Sequence, residues 1–344
     1  MIRIENIYYM LAYAFCVLQE KGYQELATEE FENATELLCA ILCKGVAIQV
    51  KRGLGKAYIT KEELLRTPKG KIEINESIKM QSIRKKQMIC SYDTCSVDFY
   101  CNQIIKTTLC EMLRTNISKA RKKEIRRLLL FFTEVSTLEI SLINRNFFYD
   151  RNNQTYMMLM EICQMLLKER IQTNTKGSIC IREFADEQTM PKLYEKFLLQ
   201  YFQKEHKQLK VYAPQIKWKL DDGMAHQLPI MQSDIVISNP QTNKILIIDA
   251  KYYTHNMQAK ASYTKKTIHS ANLYQIFAYV KNWNAKEDEI VMGMLLYART
   301  EDEIQPNHGY QMSGNQIYVQ TLDLNCKFDK IKEQLDRIAK LVYE

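Results

Sequence analysis

The stretch Ser233-Asp234-Ile-Val-Ile-Ser, Asn239-Pro240-Gln241-Thr242-Asn243, Lys244-Ile-Leu-Ile-Ile-Asp249-Ala250-Lys251 constrains this chain more than any other. Both arms are rich in β-branched residues and the middle is turn chemistry, so the segment reads as two antiparallel strands joined by a tight turn. If the ladder closes symmetrically about Gln241 and Thr242, Asp234 stands opposite Asp249 with Cβ atoms about 5 Å apart. Side chains alternate along a strand, so Asp249 and Lys251 share a face, while Ala250 points away and leaves its carbonyl near the same edge. Two carboxylates held side by side repel unless a cation or a proton intervenes. Hard oxygen ligands without a thiolate favour Mg²⁺, or Mn²⁺ in its place, over Zn²⁺. Asp234, Asp249 and the Ala250 carbonyl are therefore candidate metal ligands. Lys251 is a candidate to orient or deprotonate an attacking water, or to hold a phosphate. The alternative reading of the same spacing is an aspartate and a lysine ending strands on a solvated sheet edge.

Two helical segments bear on that choice. In His269-Ser-Ala-Asn272-Leu273-Tyr-Gln275-Ile276-Phe277-Ala-Tyr279-Val280 the residues Leu273, Ile276, Phe277 and Val280 recur at helical spacing, with Gln275 and Tyr279 one turn apart beside that stripe. Upstream, Leu193-Tyr194-Glu195-Lys196-Phe197-Leu198 opens another amphipathic helix. Its Glu195 is either a solvated charge or a further carboxylate at the site. The D…D-x-K set, with Ser233 where a proline is usual, resembles the PD-(D/E)xK nuclease superfamily. The Gln275–Tyr279 segment resembles the Q-x-x-x-Y helix of its RecB-like branch, and Glu195 takes the place of a first-helix carboxylate.

Motifs spread along the chain resemble a narrower family. Ile4-Glu5-Asn6-Ile7-Tyr8-Tyr9-Met10-Leu11-Ala12-Tyr13-Ala14-Phe15 is followed in order by Lys44-Gly45-Val46, Arg52-Gly53-Leu54, Lys69-Gly70-Lys71-Ile72-Glu73 and Asn102-Gln103-Ile104-Ile105-Lys106. Asp249-Ala250-Lys251-Tyr252-Tyr253 and Asn272-Leu273-Tyr274-Gln275 complete the series. The whole resembles the McrC family, the nuclease subunits of McrBC-type modification-dependent restriction systems. That resemblance implies a Mg²⁺-dependent endodeoxyribonuclease in which Asp234, Asp249, Ala250 and Glu195 hold metal and Lys251 assists the water. Gln275 would support the phosphate or the lysine. It also implies that a separate McrB-like AAA+ hexameric ring binds GTP, and that the amino-terminal part of this chain docks on that ring and stimulates its GTPase. The modified base, 5-methylcytosine in double-stranded DNA, would be read mainly by the partner.

At 344 residues the chain exceeds what one hydrophobic core usually spans, so two domains are expected. The net charge of +8 leans toward nucleic acid. Its densest run, Lys119 to Arg127, packs six basic residues into nine positions and reads either as the solvated start of an amphipathic helix or as phosphate contact. The ten cysteines are dispersed with no C-x-x-C, which favours reduced core thiols, and the histidines form no H-E-x-x-H, which removes support for zinc hydrolase chemistry. No apolar run approaches the ~20 residues of a membrane span and the start has no secretory pattern, so a cytoplasmic protein is expected. Arg52-Gly53-Leu54-Gly55-Lys56-Ala57 is not a phosphate-cradling G-x-x-x-x-G-K-[ST] loop, so the chain alone should not hydrolyse nucleotide.

The expected architecture is α/β (α+β). Residues 1–150 form a helical domain with helices at 5–20 and 29–49, a β-rich insert over 53–98 holding strands near 56–60, 70–74 and 87–92, and helices at 99–114 and 119–133. Residues 151–344 form the nuclease domain, a mixed sheet flanked by helices. It should contain a helix to about Arg170, the Glu195 helix, a strand over 209–220, the hairpin, the Gln275 helix, strands at 289–297 and 316–322, and a closing helix from 327. The boundary is expected in the polar segment 144–154, with Gln172 to Ser178 as the alternative. Tyr58, Tyr92 or the Trp218 region are candidates for stacking on bases or for ordinary packing. Two other functions remain open: an autonomous RecB-like nuclease acting on DNA ends, and a non-cleaving GTPase-activating adaptor.

Overall fold

A computed structural model of the chain describes residues 2–15, 31, 33–143, 154–173, 189–221, 223–224, 226–259, 266–285 and 288–343. In chain order its first elements are α1 (Ile4–Ala14), α2 (Ala34–Arg52), β1 (Ala57–Leu65), β2 (Lys71–Ile72), α3 (Ile74–Lys79), β3 (Met88–Ser96), α4 (Tyr100–Met112), α5 (Lys119–Leu129) and α6 (Gln154–Thr173). Then come α7 (Thr189–Glu205), β4 (Lys210–Tyr212), β5 (Gln215–Ile216), β6 (Met231–Gln232), β7 (Ile235–Asn239) and β8 (Lys244–Lys251). The chain continues through β9 (Met257–Ala259), β10 (Lys266–Ile268), α8 (Ser270–Asn282), β11 (Ile290–Ala298), β12 (His308–Met312), β13 (Asn315–Leu322) and α9 (Phe328–Lys340).

These elements form two units, one of residues 1–34 with 178–344 and the other of residues 35–177. The expected boundary near 150 is thus displaced, and the division is not linear. Segment 144–153 lies outside the described residues, and α6 beyond it belongs with α2 and α4. The alternative at Gln172–Ser178 falls where the chain passes between units, although residues 174–178 lie outside the described residues too. The amino-terminal helix belongs with the carboxy-terminal half. Asn6 Nδ2 donates to the Leu324 and Cys326 carbonyls, both at 2.8 Å, and Tyr13 OH donates to Glu205 at 2.6 Å. Tyr9 stacks on Phe328 with ring centres 4.2 Å apart. The apolar run 7–14 signals a helix but not its partner, and that partner lies some 200–300 residues away.

The larger unit is built on a six-stranded mixed sheet in the order β12-β13-β11-β8-β7-β4. β8, β11 and β13 run parallel, while β7, β4 and β12 are antiparallel to their neighbours. The middle strands are sheathed on both faces, so β8 and β11 are near-continuous apolar runs and not alternating ones. α8 lies against this sheet at Gly293, where an added Cβ would meet Val280, Ile276 and Ile317 atoms at 2.8–2.9 Å. No larger residue lets the helix come so near.

The strand expected over 209–220 is broken. Only 210–212 pairs in the main sheet and only 215–216 pairs with β6, because Pro214 between them has no N–H to continue a ladder. The edge strand β12 and the ribbon β9–β10 had no sequence signal strong enough to be expected.

In the smaller unit the β-rich insert is a three-stranded antiparallel sheet, order β1-β3-β2. Ile74 opens α3 and does not extend a strand, since Glu73 leaves the ladder after its N–H reaches the Ile89 carbonyl. The insert is pinned at its root. Asn102 Nδ2 donates to the Gly55 and Val97 carbonyls at 3.0 and 2.8 Å, its Oδ1 accepts from Tyr156 OH at 2.6 Å, and that hydroxyl accepts from Gly55 N at 2.9 Å. Both ends of the insert are therefore held by one buried asparagine. Away from that root, Leu64, Ile72, Ile74, Ile78, Met80 and Ile83 are exposed.

Candidate active site

The β7–β8 register is the one the turn implies: Ile235 pairs with Ile248 and Asn239 with Lys244, so the next step outward sets Asp234 against Asp249. Asn239 Oδ1 accepts from Gln241 N at 3.0 Å and starts the turn, which fixes that register. Asp249 is 1% exposed near the end of a buried strand. Ser233 is also buried, and its Oγ donates to the Pro214 carbonyl at 3.0 Å, which holds the chain just before Asp234.

The two carboxylates act on each other electrostatically, the Asp249 charge helping to raise Asp234. Asp234 Oδ2 accepts from Ala250 N at 2.7 Å. Burial, then the charges of Asp249 and Glu195, push the Asp234 carboxyl far above the usual range, against the Ala250 N–H and Lys251. Burial likewise raises Asp249, with Lys251 and the Asp234 hydrogen bond opposing it. Without a cation the pair therefore keeps a proton. Lys251 Nζ lies 2.8 Å from Asp249 Oδ2, an ion pair by distance. Apart from that ammonium, the oxygen is buried with no other donor. A buried carboxylate oxygen satisfied only by an ammonium suits a hard divalent cation, with the lysine moving to substrate or water.

Lys251 Nζ also donates to Gln275 Oε1 at 3.1 Å. Gln275 Nε2 donates to Tyr279 OH at 2.7 Å, and Tyr279 OH donates to the Gln232 carbonyl at 2.9 Å. The single phenolic proton goes to Gln232, so the tyrosine oxygen can only accept from Gln275. That sets which end of the amide faces the lysine. The relay returns to the peptide two residues before Asp234.

Glu195 on α7 is half-buried and faces this place electrostatically: burial raises its pKa, Lys251 lowers it and Asp249 raises it. Among the described residues, however, no three His, Cys, Asp or Glu side chains come close enough to hold a metal together. The geometry brings together Asp234, Asp249, Lys251 and Gln275, with Ala250 bound to Asp234 through its N–H, and it leaves Glu195 outside a joint cage.

Sequence reasoning passed over a second network around Lys251. Asn272, one turn before Gln275, donates to Tyr297 OH at 2.9 Å and accepts from Tyr253 OH at 3.1 Å. Tyr297 pairs with Lys251 across β11 and β8. Only the Asn272–Gln275 spacing hinted at it. Of the aromatics considered for stacking, Tyr58 is exposed, Tyr92 donates to Glu63 and lies under Lys69, and Trp218 donates to the Pro229 carbonyl. Cys39, Cys43, Cys90 and Cys163 are buried, as core thiols would be, whereas Cys95 is exposed and Cys101, Cys110 and Cys326 are half-buried. No helix among the described residues is long and apolar enough to cross a membrane.

The sequence matches the family model described as McrBC 5-methylcytosine restriction system component over residues 4–298. It is similar to the Type IV methyl-directed restriction enzyme EcoKMcrBC of Escherichia coli (strain K12), at 29% identity over 342 residues, 97% of this chain and 96% of that one. Among solved structures, the refined half-complex from the tetradecameric assembly of Thermococcus gammatolerans McrB AAA+ hexamers with bound McrC matches with a TM-score of 0.44 and 14% identity. The match covers 96% of this chain and 75% of that one. The Thermococcus gammatolerans McrBC complex matches with a TM-score of 0.38 and 15% identity, covering 59% and 58%.

Proposed function

This chain belongs to the McrBC 5-methylcytosine restriction system component family, and from that premise we propose that it is the system's Mg²⁺-dependent DNA endonuclease subunit, built on a PD-(D/E)xK site. The observation that carries the reading is the facing pair Asp234 and Asp249, one oxygen of which is buried with only the Lys251 ammonium against it, beside Gln275. Nothing about folding calls for a buried and a half-buried carboxylate facing each other, and an apolar pair would pack there at no electrostatic cost. Mg²⁺ is commonly held by one or two carboxylates with water and substrate phosphate supplying the rest, and Asp234 and Asp249 supply such a pair.

Asp234 and Asp249 would hold the ion, with the Ala250 carbonyl and Glu195 as outer contributors. When bound, the ion would polarise the phosphoryl oxygens and acidify a water. Lys251 has three donor protons. Asp249 and Gln275 face two of them, which leaves one to hold the scissile phosphate or orient the water. Gln275, its amide set by Tyr279, keeps the ammonium on that line. The exposed apolar tip of the β-rich insert supports the second half of the proposal, that the insert docks on a McrB-like AAA+ GTPase ring and stimulates it. Arg66 is exposed at the far end of β1 and Lys56 at the root of the insert, while Lys71 pairs with Glu73 at 2.8 Å.

The test is to purify the chain with and without its AAA+ partner and assay methylated and unmethylated duplexes with GTP and Mg²⁺. Cutting that needs partner, GTP and methylation together supports the reading. Cutting of DNA ends by the chain alone would favour an autonomous nuclease, and GTPase stimulation without any cutting would favour an adaptor.

A further inference from the structure

The basic run 119–127 remains after the site and the insert are accounted for, and the smaller unit shows why it is unusual. α5 turns Ile125 and Leu128 inward. Lys119, Lys123, Arg126 and Arg127 are exposed, with no acidic partner among the described residues. The two carboxylates beside this helix are taken by Arg121, which lies 2.5 Å from Glu124 and 3.7 Å from Glu36, while Glu36 also accepts from the capping Ser118. What remains outward is a row of uncompensated positive charge.

That row works against the helix. Lys119–Lys123, Lys122–Arg126 and Lys123–Arg127 are like-charge pairs at i,i+4, which repel. Lys119 and Lys122 sit in the first turn, at the positive end of the helix dipole, with no acidic residue in that turn to offset it. Local rules broken without internal compensation are what a binding surface leaves behind. A protein-docking helix would carry an apolar strip along its outward face, and here that face is basic from end to end. The exposed apolar residues, Leu130 and Phe131, come only after the helix.

We propose that the outward face of α5 is a docking surface for the phosphate backbone of duplex DNA, separate from the candidate active site. Residues four apart on a helix stand about 6 Å apart along its axis, so Lys119, Lys123 and Arg127 present cations at a spacing near that of successive phosphates on one strand. Arg126 and Arg127 add forked donors suited to phosphate oxygens. The contact carries no base specificity.

The test uses the full chain with a chelator present, and titrates binding to a fluorescent unmodified duplex from about 50 to about 200 mM salt. Each phosphate contact contributes about 0.9 to the slope of log K against log salt. The variant Lys119→Gln/Lys123→Gln/Arg126→Gln/Arg127→Gln is expected to bind at least about 10-fold more weakly at low salt, with a slope shallower by roughly two to four. The pair Lys123→Gln/Arg127→Gln should give about half that change. Both variants should melt no lower than wild type, since repulsive pairs are removed. No binding by wild type at low salt, or an unchanged slope and affinity in the folded fourfold variant, overturns the proposal. So does a loss confined to the AAA+ partner, which would assign the face to an acidic protein surface. Cleavage with Mg²⁺ reports on the nuclease reading and this chelated titration of the α5 variants reports on the basic face, so the two can fail independently.

Discussion

Asp249 is buried between a second carboxylate and the Lys251 ammonium. Asp249→Ala or Lys251→Ala should lower cleavage by at least ~10²–10³-fold, the scale of losing one preorganised electrostatic group, and should leave GTPase stimulation of the partner intact. Substantial cutting by Asp249→Ala would remove the site from consideration. In metal-free protein the raised carboxyl pKa of Asp234 has a definite linkage sign. The unfolded chain releases this proton near its ordinary value of 3.8, below the folded state, so stability falls as pH rises through that interval and does not return above it. Asp234→Asn should flatten that decline and melt higher than wild type at neutral pH in chelator, while Mg²⁺ should stabilise wild type more than the variant. A variant less stable than wild type in chelator would contradict the facing pair. Tyr279→Phe keeps the ring but frees the Gln275 amide to turn. It should reduce the cleavage rate by roughly 10–100-fold, as for other outer partners of a metal site, with little change in DNA affinity. Aspartates, lysine and glutamine were legible in the sequence because strand and helix periods fix which residues share a face. The Gln232 carbonyl and Tyr297 were not, because a backbone oxygen and a strand tyrosine have no pattern of their own.

Elements with a single dominant period were the readable ones. The hairpin, α4, α5, α8, α9, β11 and β13 stand within a few residues of expectation, since each either alternates, repeats every three to four residues or runs apolar through the sheet. The 209–220 strand failed at Pro214, and β2 ended before Ile74, where the pairing partner and not the local composition decides the length. The root of the insert shows the same limit. Gly53 and Gly55 read as turn residues, yet Gly55 is there because an added Cβ would stand 2.8 Å from Tyr156 OH. Gly55→Ala should therefore displace the tyrosine from Asn102 and lower stability by roughly 1–3 kcal/mol, the range for overpacking a tight contact. Thermal unfolding would measure this, and a neutral substitution would mean that the clamp can widen without cost.

At the scale of the whole molecule, the sequence suggests two parts cut in a straight line, whereas the chain divides into residues 1–34 with 178–344 and residues 35–177. The apolar face of α1 and the carbonyls at 324 and 326 carry no mark that they belong together, because contacts between the two ends of a chain leave no local period. One consequence separates the two divisions. A fragment of residues 1–150 would retain α1 while lacking α7 and α9, whose Phe197, Tyr201 and Phe328 surround Tyr13, and it would lack Tyr156, which closes the root of the insert. It would therefore expose Ile7, Met10 and Leu11 and leave Asn102 short of a partner in the interior. A fragment of residues 35–177 keeps α2, α4 and α6 with the insert intact. We expect 35–177 to unfold cooperatively and 1–150 to aggregate or melt without a transition, and the soluble fragment to raise the GTP turnover of the AAA+ partner. Circular dichroism melts of both, followed by the GTPase assay, decide the matter. A cooperative 1–150 beside an unfolded 35–177 would restore the linear boundary, and a folded 35–177 that leaves the GTPase unchanged would place the stimulating surface in the other unit.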